Sequence, residues 1–256
     1  MLFKHVNVGK VALGCLLFFA AAAAFGQSAE KKFLARSENE LAQAQKIFQA
    51  DKNNSTNAWL FARVCFDVAE QATNATQRAA NARLGIAASQ HLLARDPKSA
   101  PGHYGLALND GELADAEAPS LAAYKLVHEI ESEFKTAAAL DEKFDYAGPA
   151  RCLGLLYRDA PGWPLSIGNK HKAREWLDRA VTLAPDYPEN YLTLATAHLR
   201  WHEPDEAGRV LKKLAVIWPA AQTNFTGVAW ERSWHDWTKQ RAAAKADFQK
   251  QSKHAP

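Results

Sequence analysis

Two stretches of this sequence repeat one another at a fixed distance. Residues 173–185 read AREWLDRAVTLAP, and residues 207–219 read AGRVLKKLAVIWP. Four apolar or proline positions coincide at an offset of 34 residues, in the pairs Ala173/Ala207, Leu177/Leu211, Ala180/Leu214 and Pro185/Pro219. Four matches at one offset are difficult to obtain from composition alone, so we infer an internal repeat.

The residues around this repeat favour helices. The chain is rich in Ala, Leu, Glu, Lys, Gln and Arg and shows no sustained alternation of the kind that strands require. Breaks recur at regular intervals, and we expect them to separate about ten helices; they include Asp96-Pro97, Asp110-Gly111, Gly148-Pro149, Pro185 and Pro219. Pro185 and Pro219 are expected to end the second helix of each pair.

The period also matches a known repeat. A length of 34 residues with Leu153, Gly154 and Tyr157 on one helix and Ala173 on the next resembles the tetratricopeptide repeat, a helix–turn–helix unit. Small residues at 154 and 173 are expected where paired helices cross closely. The resemblance implies an all-α, tetratricopeptide-type α-solenoid of about ten helices. Trp230, Trp234 and Trp237 predict a C-terminal capping helix that covers the last repeat.

A narrower resemblance rests on three short motifs. Residues 145–149 read DYAGP, residues 153–157 read LGLLY, and residues 160–164 read APGWP. They resemble tetratricopeptide proteins related to the T-component of bacterial TRAP transporters, and the helical domain of regulator-of-microtubule-dynamics proteins. The first of these families implies a periplasmic partner of solute-binding proteins.

The N-terminal residues have the pattern of an export signal. Lys4 and Lys10 precede an apolar run of about fifteen residues, and cleavage is expected before Gln27. Such a run is short for a span of roughly twenty residues, so we expect no stable membrane insertion after cleavage; an uncleaved anchor is the alternative. We therefore predict a signal peptide at 1–26, a helical repeat domain at 27–219 and a capping helix with its tail at 220–256. The mature protein is expected to be periplasmic or secreted.

Charge and motifs exclude several functions. Of 31 basic residues, two lie in the leader, which leaves 29 against 28 acidic residues and gives no reason to expect nucleic acid as a partner. No phosphate-binding loop, nucleophile elbow or zinc-protease motif occurs, so we predict neither an enzyme nor a cofactor. His198 and His202 stand four residues apart and permit a metal-dependent hydrolase as an alternative, but packing explains His198 because it aligns with Tyr157.

The resemblance implies where a partner binds. First helices of tetratricopeptide repeats line a concave groove, and the groove positions that we select here are Tyr104, Arg151, Arg158, Thr196 and Arg200. The three arginines would favour a carboxylate or an acidic peptide, because guanidinium groups pair with carboxylates through two hydrogen bonds. The alternative is that they are solvated on an exposed face.

The connection from Asp159 to Lys170 is longer than a repeat turn and is a second candidate site. Loops of about a dozen residues are uncommon and often functional. We expect its Trp163 to pack against the neighbouring helices; contact with a partner at the groove rim is the alternative. Cys65 and Cys152 are expected to be buried thiols, because first helices two repeats apart are too distant for a disulfide.

These patterns lead to two functional hypotheses. The first is an exported scaffold that binds a protein or peptide through its concave face. The second is a periplasmic accessory of a solute uptake system, similar to the T-component, that binds a small solute or a solute-binding protein.

Overall fold

Ten α-helices and one short 3₁₀ helix account for nearly all of the chain that the structure describes. The structure is a computed structural model, and it describes residues 19–118 and 120–253. The α-helices are α1 (Phe19–Ala50), α2 (Ser55–Gln71), α3 (Ala75–Arg95), α4 (Ala100–Glu117), α5 (Leu121–Leu140), α6 (Phe144–Asp159), α7 (Lys170–Leu183), α8 (Pro188–Arg200), α9 (Pro204–Asn224) and α10 (Glu231–Ser252), and the 3₁₀ helix is Val228–Trp230. This confirms the all-α class and the expected number of helices.

The chain divides into two compact units at Glu133 and Phe134, within α5. Unit 1 contains α1 to α4 and the start of α5. In it α2 packs against α1, α3 and α4. Its apolar centre includes Phe48, Phe61 and Leu92, each at most 6% exposed. Unit 2 contains the end of α5 and the helices α6 to α10, among them the repeated stretches.

Polar residues at the breaks set the starts of several helices. The side chains of Asn54, Asn74, Ser99 and Asn169 each accept a hydrogen bond from a backbone N–H in the first turn of the helix that follows. Such caps satisfy N–H groups that have no partner within the helix. The turns therefore encode helix starts as well as chain breaks.

One expected break in unit 1 is wrong. Asp110-Gly111 lies inside α4, which continues to Glu117. Asn109 is fully buried, and its amide donates to the carbonyl oxygens of Ala62 at 3.0 Å and Gly105 at 2.8 Å. Because these polar residues are buried against α2 and not turned towards water, the pattern of a turn is misleading here.

The repeated stretches of unit 2 occupy equivalent environments. α6 pairs with α7, and α8 pairs with α9. Ala173 and Ala207 are both completely buried on the second helices, and so are Leu177 and Leu214, while Leu211 is 8% exposed. The 34-residue period therefore corresponds to a repeated helical hairpin.

The two repeats differ at their prolines. Pro185 follows the end of α7 at Leu183, as expected, but Pro219 lies within α9, which continues to Asn224. A proline in a helix removes one hydrogen bond and costs about 3 kcal/mol. The residues around it offset that cost by burial, because Trp218, Ala221 and Phe225 are at most 8% exposed.

Gly154 allows α6 and α7 to approach closely. A β-carbon at this position would lie 2.5 Å from Cγ of Leu177 and 3.2 Å from the carbonyl oxygen of Ala173. The first distance is far shorter than any normal contact between carbon atoms. The small residue is therefore required by packing, as the sequence indicated.

α10 packs against α8 and α9. Trp237 is 1% exposed, and Trp230 and Trp234 pack against the same cluster of buried residues. The Trp234 indole N–H donates to the carbonyl oxygen of Phe225 at 2.6 Å. Trp234 and Trp237 thus lie on the inner face of the predicted capping helix, whereas Trp230 ends the 3₁₀ helix that precedes it.

Two remaining expectations concern cysteines and the leader. Cys65 and Cys152 are buried thiols, not halves of a disulfide, which confirms the prediction. Most of the predicted signal peptide, residues 1–18, lies outside the described residues. Within the part of the chain that is described, no helix has the length and hydropathy needed to cross a membrane.

We predict that Gly154→Ala destabilises the protein by about 1–3 kcal/mol through overpacking against Leu177. This cost exceeds the gain of up to about 1 kcal/mol that alanine brings to a helix. Urea unfolding measures the change. Gly162→Ala is the matched control, because a β-carbon there would meet its nearest neighbour only at 3.8 Å. Equal midpoints for the two variants would contradict the close crossing.

Candidate protein-interaction surface

Two of the five expected groove residues are buried. Tyr104 is 1% exposed and its ring lies 5.9 Å from that of Trp59, so it belongs to the core of unit 1. Arg151 is 5% exposed. Neither side chain is accessible to a partner, which corrects the expectation drawn from repeat positions alone.

Arg151 belongs instead to a buried network centred on Asn190. Arg151 Nη1 donates to Asn190 Oδ1 at 2.9 Å and to the carbonyl oxygen of Tyr146 at 3.3 Å. The Asn190 amide donates to the carbonyl oxygens of Tyr146 at 3.1 Å and Ala180 at 3.0 Å, with Ala184 at 3.3 Å. Asn190 is completely buried. One side chain thus joins the start of α6, the end of α7 and the start of α8.

The same network holds an unusual turn at residues 145–147, within the first turn of α6. Asp145, Tyr146 and Ala147 all have positive φ, at 49°, 56° and 62°. Each such residue costs about 1–2 kcal/mol when it is not glycine. Hydrogen bonds to the Tyr146 carbonyl offset part of that cost, and the Tyr146 ring stacks on Tyr187 at 4.5 Å. The first of the three sequence motifs, DYAGP, is therefore explained by structure.

Arg158 and Arg200 converge on one carboxylate at the ends of α6 and α8. Arg158 donates two hydrogen bonds to Asp159, at 2.8 and 2.7 Å, and Arg200 donates a further one to Asp159 Oδ1. The Asp159 side chain is 3% exposed, whereas that of Arg200 is 56% exposed. The expected pairing of arginine with carboxylate thus occurs within the chain, and it orients Arg200 at the surface.

A second carboxylate, that of Glu203, contacts several cationic side chains. Lys170 lies 2.7 Å from it, and Arg174 donates to both of its oxygens at 2.6 and 2.7 Å. Burial raises the pKa of Glu203, but hydrogen bonds from Lys170 and His198 together with the Arg174 charge outweigh burial and lower this pKa to about 2. Lys170 and Arg174 also lie over the ring of Trp201, at 5.4 and 5.5 Å.

The two histidines do not share a helix face. α8 ends at Arg200, and His202 has a positive φ of 58° in the turn that follows. His198 is 5% exposed, and its Nδ1 lies 2.8 Å from Glu203. The helical spacing on which a metal site would depend is therefore not present, and packing accounts for His198.

The loop that joins α6 to α7, residues 160–169, is pinned at its base. The backbone N–H of Gly168 donates to Pro161 at 2.8 Å, and that of Asn169 donates to Tyr157 at 2.8 Å. A β-carbon at Gly168 would lie 2.1 Å from the carbonyl oxygen of Ala160, so only glycine fits there. These contacts close the base of the loop, and the residues between Pro161 and Gly168 form its tip.

Trp163 occupies that tip, and its predicted packing against the helices is wrong. Its side chain is 89% exposed, and Leu165 beside it is 73% exposed. Most of the surface of both side chains is therefore open to solvent. Sequence reasoning selects Trp163 but misses Leu165, Lys170 and Arg174.

Thr196 and Arg200 are the accessible residues of α8. This helix contacts α6, α7, α9 and α10. Its residues are buried apart from a strip of one face, formed by half-buried Glu189 and exposed Thr196 and Arg200. Thr196 Oγ1 donates to the Leu192 carbonyl oxygen at 2.7 Å. We call Glu189, Thr196 and Arg200 the α8 strip.

Comparison with solved structures identifies the fold. A thermophilic TPR protein of Thermus thermophilus matches with a TM-score of 0.63 and 17% identity, over 89% of this chain and 100% of that one. Two structures of MamA match at lower TM-scores of 0.48, with 17% and 15% identity, and cover 75% and 78% of this chain and 94% and 96% of theirs. No family model and no curated protein matches the sequence.

The chain therefore has a tetratricopeptide-type helical fold. The solved structure with the TM-score of 0.63 and the repeated hairpins of unit 2 support the same conclusion independently. At 17% identity this likeness establishes the fold and not the function.

We predict that Asn190→Ala destabilises the protein by about 2–4 kcal/mol. The change removes a hydrogen-bond acceptor from buried Arg151 and one donor from each of three carbonyl oxygens, and loss of buried hydrogen bonds of this kind costs about 1–3 kcal/mol. Urea unfolding of Asn53→Ala serves as control, because Asn53 and the hydrogen bond that it accepts from Arg95 are exposed, and surface changes alter stability by about 0.5 kcal/mol or less. A similar loss of stability in both variants would show that the hydrogen bonds of Asn190 do not stabilise unit 2.

We also predict a pH signature for Glu203. Its folded-state pKa of about 2 lies below the ordinary value of 4.5, so its stabilising contribution is present above pH 4.5 and is lost as pH falls towards 2. Glu203→Gln should lower the unfolding midpoint at neutral pH, and the difference from wild type should shrink over that window. Glu206→Gln is the control at neutral pH and should change the midpoint only slightly, because it alters an exposed pair with Arg209. If the midpoints of wild type and Glu203→Gln differed by the same amount at every pH, the lowered pKa of Glu203 would be refuted.

Proposed function

We propose that this protein is an exported scaffold that binds a protein or peptide partner through the first-helix face of unit 2. The fold supports the scaffold role, because stacked helical hairpins present extended surfaces for partners. The leader pattern at residues 1–26 supports export.

The α8 strip carries the proposal. α8 is enclosed by four neighbouring helices, yet Thr196 and Arg200 stay accessible one turn apart on one face. Half-buried Leu155 lies on α6, the preceding first helix. Exposed polar side chains on an otherwise enclosed helix form a rigid surface that needs no rearrangement to bind.

A solute-binding accessory role is the second candidate, and one cavity favours it. The cavity has a volume of about 830 Å³ between α7, α8 and α9. Its lining combines the apolar side chains of Val181, Leu194 and Val210 with charged side chains of both signs, among them Arg174 and Asp178. Such a volume falls within the range of small-molecule sites.

Affinity capture from the native envelope tests the scaffold role. We expect Thr196→Lys/Arg200→Glu to lose most of the co-purifying partner, because it alters both exposed positions of α8. The matched control is Lys212→Glu/Val216→Lys, which changes two exposed positions with the same spacing on the second helix α9. Equal loss in both variants would contradict the first-helix face. A thermal shift with an organic acid, in the absence of any captured protein, would instead favour the accessory role.

A further inference from the structure

The end of unit 2 presents apolar and cationic groups side by side. We use the name rim surface for the last turns of α6 and α8, the loop 160–169 and the first turn of α7. Trp163 and Leu165 project from the loop, with exposures of 89% and 73%. Such large apolar groups are seldom exposed together without a use.

The positions of these groups are fixed by backbone contacts. Gly162 and Gly168 pair across the loop, and Leu165 N–H donates to the Gly162 carbonyl oxygen at 3.0 Å. The Asn169 side chain accepts from Lys172 N–H at 3.0 Å and so ties the loop to α7. A partner that contacts Trp163 therefore meets an ordered loop, which reduces the entropy lost on binding.

The cations lie within reach of the same partner. Trp163 follows Asp159 after a path of at most about 14 Å along the chain, and Asp159 holds Arg200. Lys170 begins α7 directly after the loop and is 51% exposed. An extended segment of a few residues could contact the tryptophan and a cation at once.

Two ion-pair clusters, one within the rim surface and one that begins at its Lys170, contain more cations than carboxylates. Asp159 is shared by Arg158 and Arg200. Glu203 is shared by Lys170 and Arg174. Each of the two carboxylates is therefore contacted by two cations and cannot neutralise both of them. Exposed guanidinium and ammonium groups in such an arrangement favour carboxylates on a partner.

We infer that the rim surface binds an acidic peptide segment that carries a large apolar side chain, with Trp163 and Leu165 as the apolar contact and Arg200 and Lys170 as the charged contact. This inference rests on the proposed scaffold function and specifies its partner. A peptide is favoured over an anionic membrane because the arginines are held in fixed, carboxylate-bound geometry, whereas membrane attraction depends on larger clusters of cations.

Selection from random peptides displayed on phage tests the inference with the full chain as target. We expect enriched peptides to combine Asp or Glu with an aromatic residue or leucine. Synthetic copies should bind Trp163→Ala about tenfold more weakly or worse, because an aromatic anchor of this kind dominates small interfaces. Arg200→Gln should also weaken binding and reduce its dependence on salt. Val216→Ala is the matched control, since Val216 is 79% exposed on α9, away from the rim surface.

The outcomes separate this inference from the function on which it rests. Two results would refute peptide binding at the rim surface and leave the scaffold role intact. One is enrichment of peptides without acidic residues, and the other is binding to Trp163→Ala and Arg200→Gln as tight as to wild type. Absence of any enriched peptide would count against both. Vesicles of phosphatidylcholine with and without phosphatidylglycerol form the last arm: binding to the anionic vesicles that requires Trp163, without peptide binding, would assign the surface to a membrane. Unchanged thermal midpoints of the variants exclude misfolding as the cause.

Discussion

Unit 2 depends on the buried side chain of Asn190. From α8, its amide and its oxygen satisfy groups on both α6 and α7, and its oxygen is one of the hydrogen-bond partners of buried Arg151. Burial of a guanidinium without hydrogen bonds would cost several kcal/mol. The ring of Tyr187 lies 5.2 Å from the same guanidinium and adds a further favourable contact. Few other side chains could occupy position 190, because both a donor and an acceptor are needed there.

The position of the rim surface follows from this network. By joining α6, α7 and α8 at one end, Asn190 fixes the directions in which α6 and α8 continue. Gly154 then sets how closely α6 approaches α7. At the far end, Asp159 on α6 accepts from Arg200 at the last residue of α8. Polar contacts at both ends and apolar packing between them leave the helices little freedom to shift.

Much of the fold could be predicted because the repeat is carried by core residues such as Ala173 and Ala207. They are conspicuous in sequence for the same reason that they are buried: only small side chains fit where helices cross. Errors arise where long-range contacts override local patterns. Pro219 remains in a helix because the aromatic residues around it are buried, and α4 continues through an apparent turn because Asn109 bonds to another helix. The repeat position of Arg151 indicates the groove, yet a residue 39 positions away supplies its partner, which local spacing cannot reveal.

The candidate site shows the same limit in a different form. A sequence can indicate that Arg158 and Arg200 lie at the ends of successive first helices, yet it cannot show that they share Asp159. The shared carboxylate affects both arginines in two ways. It neutralises part of their positive charge, and it holds the two guanidinium groups in place. An arginine oriented in this way loses less side-chain entropy when it meets a further carboxylate. The hydrogen bond between Asp159 and Arg200 is thus compatible with binding of a partner's carboxylate by Arg200. Glu203 orients Lys170 and Arg174 in the same way.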